Sequence, residues 1–222
     1  MKVLKYIAVL AATLLACSTY AAGEAAPVNV VVNNDNGVLH VSVTLNVTNP
    51  TETSEEAVKA ALKAALNSVG ADTLNGRAIS AAMIAIKSAL ADPNASALGS
   101  VSVSFVISNK VDGADNVANV KTIATIAGDA YEANTETRFN PETQVASTQG
   151  NVSSKASAAA KPVIMTVDAN GKVTGSVGNA TVADTTVDTA AKEALLTPTS
   201  AQTAETAATV LPDNTIVASG TN

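Results

Sequence analysis

The sequence predicts an α+β fold: a small antiparallel sheet with a two-helix hairpin on one face, followed by a β-hairpin and a low-complexity tail rich in Thr and Ala. Three observations predict it. Valines alternate with polar residues on both sides of an Asn-Gly turn between Val28 and Thr48, apolar residues then recur at helical spacing to Leu90, and strict alternation resumes at Val101. Alternation at period two marks a strand with one buried face, and spacing near 3.6 marks an amphipathic helix.

The first hairpin sets Val28, Val30 and Val32 on one face, turns through residues 33–37 (Asn-Asn-Asp-Asn-Gly), and continues with Leu39, Val41, Val43, Leu45 and Val47. Asn-Gly between alternating segments is the strongest short hairpin signal. Pro50 stops the strand, and Thr53 with Glu56 fits a capping box. Val58, Ala61, Leu62, Ala65, Leu66 and Val69 carry a helix to Gly70, and Ile79, Met83, Ile86 and Leu90 carry a second from about Gly76 to Ala91. Their many alanines let backbones approach closely. Val101, Val103, Phe105 and Ile107 alternate with Ser102, Ser104, Val106 and Ser108, and a turn through residues 112–115 leads to a further strand over Val117 to Ala127.

Beyond Phe139 large apolar side chains become scarce. The organisation expected is a main domain over 27–138, a polar linker over 139–161, a β-hairpin over 162–180 and a Thr/Ala-rich low-complexity tail over 181–222. Strand 100–108 joins high β propensity to an absence of charge and proline, the composition of a segment able to pair edge to edge. The hairpin over 162–180 is expected either to cover that edge within its own chain or to reach a neighbour's, which makes self-association through strand 100–108 one of the two expectations.

Before the main domain the chain carries an export pattern. Lys2 and Lys5 precede an apolar stretch from Tyr6 to Ala16, about eleven residues, too short to span a bilayer as a helix. It ends Leu14-Leu15-Ala16-Cys17-Ser18, which resembles the lipobox of bacterial lipoprotein precursors. The resemblance implies a lipoprotein-type signal peptide over 1–16, a diacylglyceryl group on Cys17, and a tether over 17–26 that holds the chain to a membrane. It also implies residence in the bacterial cell envelope, at the outer membrane or cell surface, since Ser18 is not the aspartate that retains many such proteins at the inner membrane. Ordinary cleavage after Ala21 is the other reading, and it yields a secreted chain. Cys17 is the only cysteine, so lipid attachment also explains an otherwise odd thiol.

Composition narrows the chemistry. Without Lys2 and Lys5 the net charge moves from −6 to −8, with 11 Lys and Arg against 19 Asp and Glu, and no nucleic-acid partner is expected. Aromatics are 2% with no Trp, which argues against a deep pocket for a flat ligand, and no small-molecule ligand is inferred. The sequons at Asn46, Asn94, Asn151 and Asn179 match what 19 Asn among abundant Ser and Thr produce by chance.

Candidate reactive groups each have a plainer reading. His40, the only histidine, sits on the polar side of its strand and reads as a solvated or cross-strand-paired residue rather than a base. Asp112 and Asp115 around Gly113 could offer oxygens to calcium, yet lack the spacing of a calcium loop and read as a turn. Glu132 and Glu136 near Tyr131 and Arg138 read as a solvated charged segment rather than an acid/base pair. Gly171, Gly175 and Gly178 lack the lysine and serine order of a phosphate loop. No catalytic, cofactor or metal residues are therefore expected. The function expected is a non-enzymatic envelope or surface protein with a structural or interaction role; the alternatives are a periplasmic binding module for a protein or glycan and, more remotely, a Ser-Lys hydrolase.

Overall fold

A computed structural model of the chain describes residues 28–71, 73–155, 157–168 and 173–183. Nine strands form one antiparallel sheet in which each strand pairs with its neighbours in sequence: β1 (Val28–Asp35), β2 (Val38–Val47), β3 (Gly99–Asp112), β4 (Asp115–Ile126), β5 (Asp129–Asn140), β6 (Val145–Ser154), β7 (Ser157–Val167), β8 (Val173–Val177) and β9 (Ala180–Ala183). Two helices, α1 (Ser54–Val69) and α2 (Leu74–Ala89), interrupt the meander between β2 and β3.

The opening hairpin forms as its chemistry requires. Asn36 and Gly37 adopt φ of 50° and 83°, the positive pair of a type I′ turn whose twist matches the flanking strands. Asp35 then pairs with Val38, Val32 with Val41 and Val30 with Val43, so the valines share one face. Thr53 caps α1: its hydroxyl accepts from the Glu56 amide at 3.2 Å, and the Glu56 carboxylate accepts from the Thr53 amide at 2.8 Å. Gly70 ends the helix, donating to the Leu66 carbonyl at 2.9 Å.

Both helices cover the same face of the sheet, α1 over β1 to β4 and α2 over β4 to β8. Ala57, Ala61 and Ala65 of α1, and Ala78, Ala82 and Ala85 of α2, are fully buried. Small side chains at these positions let the helices sit close to each other and to the strands. Fourteen of the sixteen α2 residues are buried, among them Ile79, Met83 and Ile86. A helix covered nearly all round is a core helix, here enclosed by α1 and by β4 to β8. Gly150 and Gly175 face inward on β6 and β8, where neighbouring strand backbone occupies the space a side chain would take.

The expected α+β layout is correct in its antiparallel sheet and two helices, and it is corrected on size. The sheet is large rather than small, and the chain is mainly β. The described residues of 139–161, expected as a polar linker, form the end of β5, a turn, β6 and the first part of β7. The reason is visible in β6, whose inward side chains are Ala146, Thr148 and Val152, with Gly150 between them. They are too small to register as an apolar stripe, yet β6 is paired on both sides and lies under α2. The expected hairpin over 162–180 continues this sheet through β7, β8 and β9 and is not a separate unit. The expected signal over 1–16, the tether over 17–26 and the tail beyond Ala183 lie outside the described residues, as do Gly171 and most of the turn before β8. Among the described residues no helix is long and apolar enough to cross a membrane.

Candidate functional site: the outer sheet face and the β1 edge

The face turned away from the helices is built by alternation. With Val41, Val43 and Leu45 pointing inward, His40, Ser42, Thr44 and Asn46 must point outward, and the register extends each into a row across the sheet. One row runs Asn29, Thr44, Ser102, Thr125; the next runs Val31, Ser42, Ser104, Ile123, Glu132, Ser153. Hydroxyl and amide groups thus recur at strand spacing, about 4.8 Å, over much of the surface.

His40 stands in a row between Asn33 and Val106, with Lys121 one strand further on. The residues directly opposite it are uncharged, and the nearest acid on that face of β1, Asp35, pairs with Val38 two residues away. Asp112 and Asp115 flank the turn joining β3 to β4, and both face Arg138 of β5: its Nη2 lies 3.0 Å from Asp112 Oδ2 and its Nη1 4.0 Å from Asp115 Oδ2. Arg138 Nε also donates to Glu136 Oε1 at 2.8 Å, and Asn140 Nδ2 donates to Asp115 Oδ1 at 3.0 Å. Glu136 and Asp112 together hold the guanidinium more firmly protonated than usual. An arginine fork between three carboxylates closes the β3–β4 turn against β5, and among the described residues no group of three or more His, Cys, Asp or Glu could hold a metal ion.

Glu132 and Glu136 share the outer face of β5 but are four residues apart, about 13 Å along an extended strand. They are not an acid/base pair. Glu132 is 3.2 Å from Lys121 and accepts from Asn134 Nδ2 at 3.2 Å; Asn134 and then Lys121 hold its carboxyl below the usual range. Between these charges lies an open groove of about 440 Å³, lined by Ser108, Asn119, Lys121, Asn134, Glu136 and Gln149 among others. Its amides, its Ser108 hydroxyl and its opposed charges can exchange hydrogen bonds with a polar partner.

Strand 100–108, expected as a possible pairing edge, lies inside the sheet, with β2 on one side and β4 on the other. From Ser102 to Ser108 it is paired on both sides. Among the described residues the sheet edges are β1 and the four-residue β9. β1 carries no charge before Asp35 and no proline, and Val28 and Val31 are 46% and 41% exposed. The sequence pattern of 100–108 does not reveal this interior position, because strand order is a long-range property.

Two buried features had no sequence signal. Arg77 of α2 is 1% exposed, with its guanidinium carbon 4.8 Å from the centroid of the Phe139 ring. Tyr131 is buried at the foot of β5, and burial pushes its phenol above the ordinary range. Cys17, the expected lipid site, lies outside the described residues. Compared with protein-family models, with curated proteins and with solved structures, the chain finds no match.

Proposed function

We propose that the chain is an exported, non-enzymatic protein of the bacterial cell envelope or surface, held by lipid at Cys17, with a structural or interaction role. The observation that carries the interaction role is the broad outer face, whose Ser, Thr and Asn rows and locally paired charges present an ordered surface for contact. The anchor rests on the Leu14 to Cys17 pattern and on the absence of a second cysteine. Ten residues lie between Cys17 and Val28, so the eleven steps from one to the other reach roughly 36 Å when extended. The sheet can therefore stand clear of the membrane surface with β1 nearest the tether.

Labelled fatty acid should enter the wild-type chain and not Cys17→Ser, and the wild type should partition with membranes. Equal labelling of the two, or a mature chain that begins at Ala22 and is found in the medium, would overturn the anchor. A periplasmic binding module is the second reading, supported by the amide-lined groove around Asn119, Asn134 and Gln149. Saturable binding of a glycan or peptide, lost on Asn134→Ala with the fold intact, would favour it.

A further inference from the structure

The geometry points to β1 as a self-pairing edge that joins two copies of this chain, antiparallel and two-fold symmetric about Val31, into one continuous sheet. This names a partner for the interaction role proposed above and rests on that reading.

The argument begins with the phase of the backbone. In a hairpin with a two-residue turn, the residues flanking the turn form a hydrogen-bonded pair, here Asp35 and Val38. Every second residue back from Asp35, namely Asn33, Val31 and Asn29, then directs its N–H and C=O toward β2. Val28, Val30, Val32 and Asn34 direct theirs to the open edge. An antiparallel partner must meet those four residues in hydrogen-bonded pairs.

A second β1 meets that condition when Val31 lies on the two-fold axis. Val30 then pairs with Val32 of the other copy and Val28 with Asn34, for about eight new backbone hydrogen bonds. The side chains agree with the same register. Read outward from Val31, the strand is Val30 and Val32, then Asn29 and Asn33, so like faces like: valine against valine on the helix side, where Val30 and Val32 are only half-buried, and asparagine against asparagine outside. Val31 meets its own copy across the axis in a non-hydrogen-bonded pair, the closer of the two kinds. Among the described residues, Val28–Asp35 itself carries no lysine, no proline and no bulge, the usual protections of an edge. The other edge, β9, is short, which limits its use for addition.

The test uses the chain from Ser18, which keeps every described residue and lacks Cys17. It should run as a dimer by sedimentation and light scattering. Val30→Pro removes an N–H aimed at the open edge and leaves the bonds to β2 in place, so it should raise the dimer dissociation constant roughly 30-fold with unfolding unchanged. A cysteine series reads the register. Val31→Cys should form a disulfide-linked dimer on mild oxidation, because facing Cα atoms in a non-hydrogen-bonded pair lie about 4.5 Å apart, within disulfide reach. Asn33→Cys should not, since its copy is displaced by about four residues, roughly 13 Å. A monomer at all concentrations, a dimer indifferent to Val30→Pro, faster cross-linking of Asn33→Cys, or open-ended oligomers would each overturn the proposal. A monomer whose full-length form still takes up fatty acid sinks the dimer alone, and a dimer without lipid sinks the anchor alone.

Discussion

Replacing Gly150 with alanine tests whether the close approach of β5 to β6 depends on the absence of a side chain in β6. Gly150 pairs with Thr135 on one side and Val163 on the other and faces the helices. An added Cβ would fall on the Asn134 carbonyl oxygen and would lie 2.8 Å from Thr135 Cα and 3.0 Å from the Asn134 carbonyl carbon. All three are backbone atoms of the paired strand, so no side-chain rotation relieves the contact. Ordinary van der Waals contact begins at 3.4 Å, so β5 must retreat by about 0.6 Å at Thr135 Cα alone, stretching ladder hydrogen bonds on both sides of Asn134. The expected cost is at the upper end for overpacking, about 3 kcal/mol, which lowers Tm by roughly 6 to 12 °C for a fold of this size. Gly113→Ala is the comparison, because its φ of +64° penalises a side chain while nothing lies within 4 Å of the added carbon. That change should cost only about 1 kcal/mol. Urea and thermal unfolding of both variants measure the difference. A Gly150→Ala loss no larger than that of Gly113→Ala would refute the steric account.

Thr53→Ala removes the α1 cap hydroxyl that accepts from Glu56 and should lower stability by about 1 kcal/mol in urea unfolding. Glu55 lies 2.9 Å from Lys87 and 3.1 Å from Lys59, and hydrogen bonds from Lys87 and then Lys59 hold its carboxyl below the usual 4.5. A depressed acid contributes stability above its unfolded value, and that contribution disappears as pH falls from about 4.5 through the folded value. Glu55→Gln should therefore be less stable than the wild type at pH 7, with the gap closing on acidification; a gap independent of pH would contradict the ion-pair assignment. A double-mutant cycle of Arg77→Met and Phe139→Leu should show a coupling of about 1 to 2 kcal/mol, as expected for a buried guanidinium over an aromatic face.

Legibility in the sequence followed the size of the inward side chains. Val41, Val43 and Leu45, or Val101, Val103 and Phe105, are large enough for alternation to show, and these strands were readable with nearly correct limits. The helices were readable for the same reason, together with the Thr53 and Glu56 pattern that caps α1. β5 and β6 were not. Their inward positions include Ala133, Thr135 and Thr137, and Ala146, Thr148 and Gly150, whose burial comes from a helix and neighbouring strands distant in sequence. Of the surface groups, the charges of Asp112, Asp115, Glu136 and Arg138 were visible, but their convergence was not. Only the β3–β4–β5 register brings Arg138 to Asp112 and Asp115.

By itself, then, the sequence determined which residues alternate, where the first hairpin turns and how α1 begins, because each depends on contacts within a few residues. The tertiary structure alone decided that the meander continues through nine strands, that strand 100–108 is interior, and that the uncharged run at Val28 to Asn34 forms an edge. Edge and centre differ only in what lies alongside, and strand order is set by the total burial each arrangement achieves around α2, a quantity no local window contains.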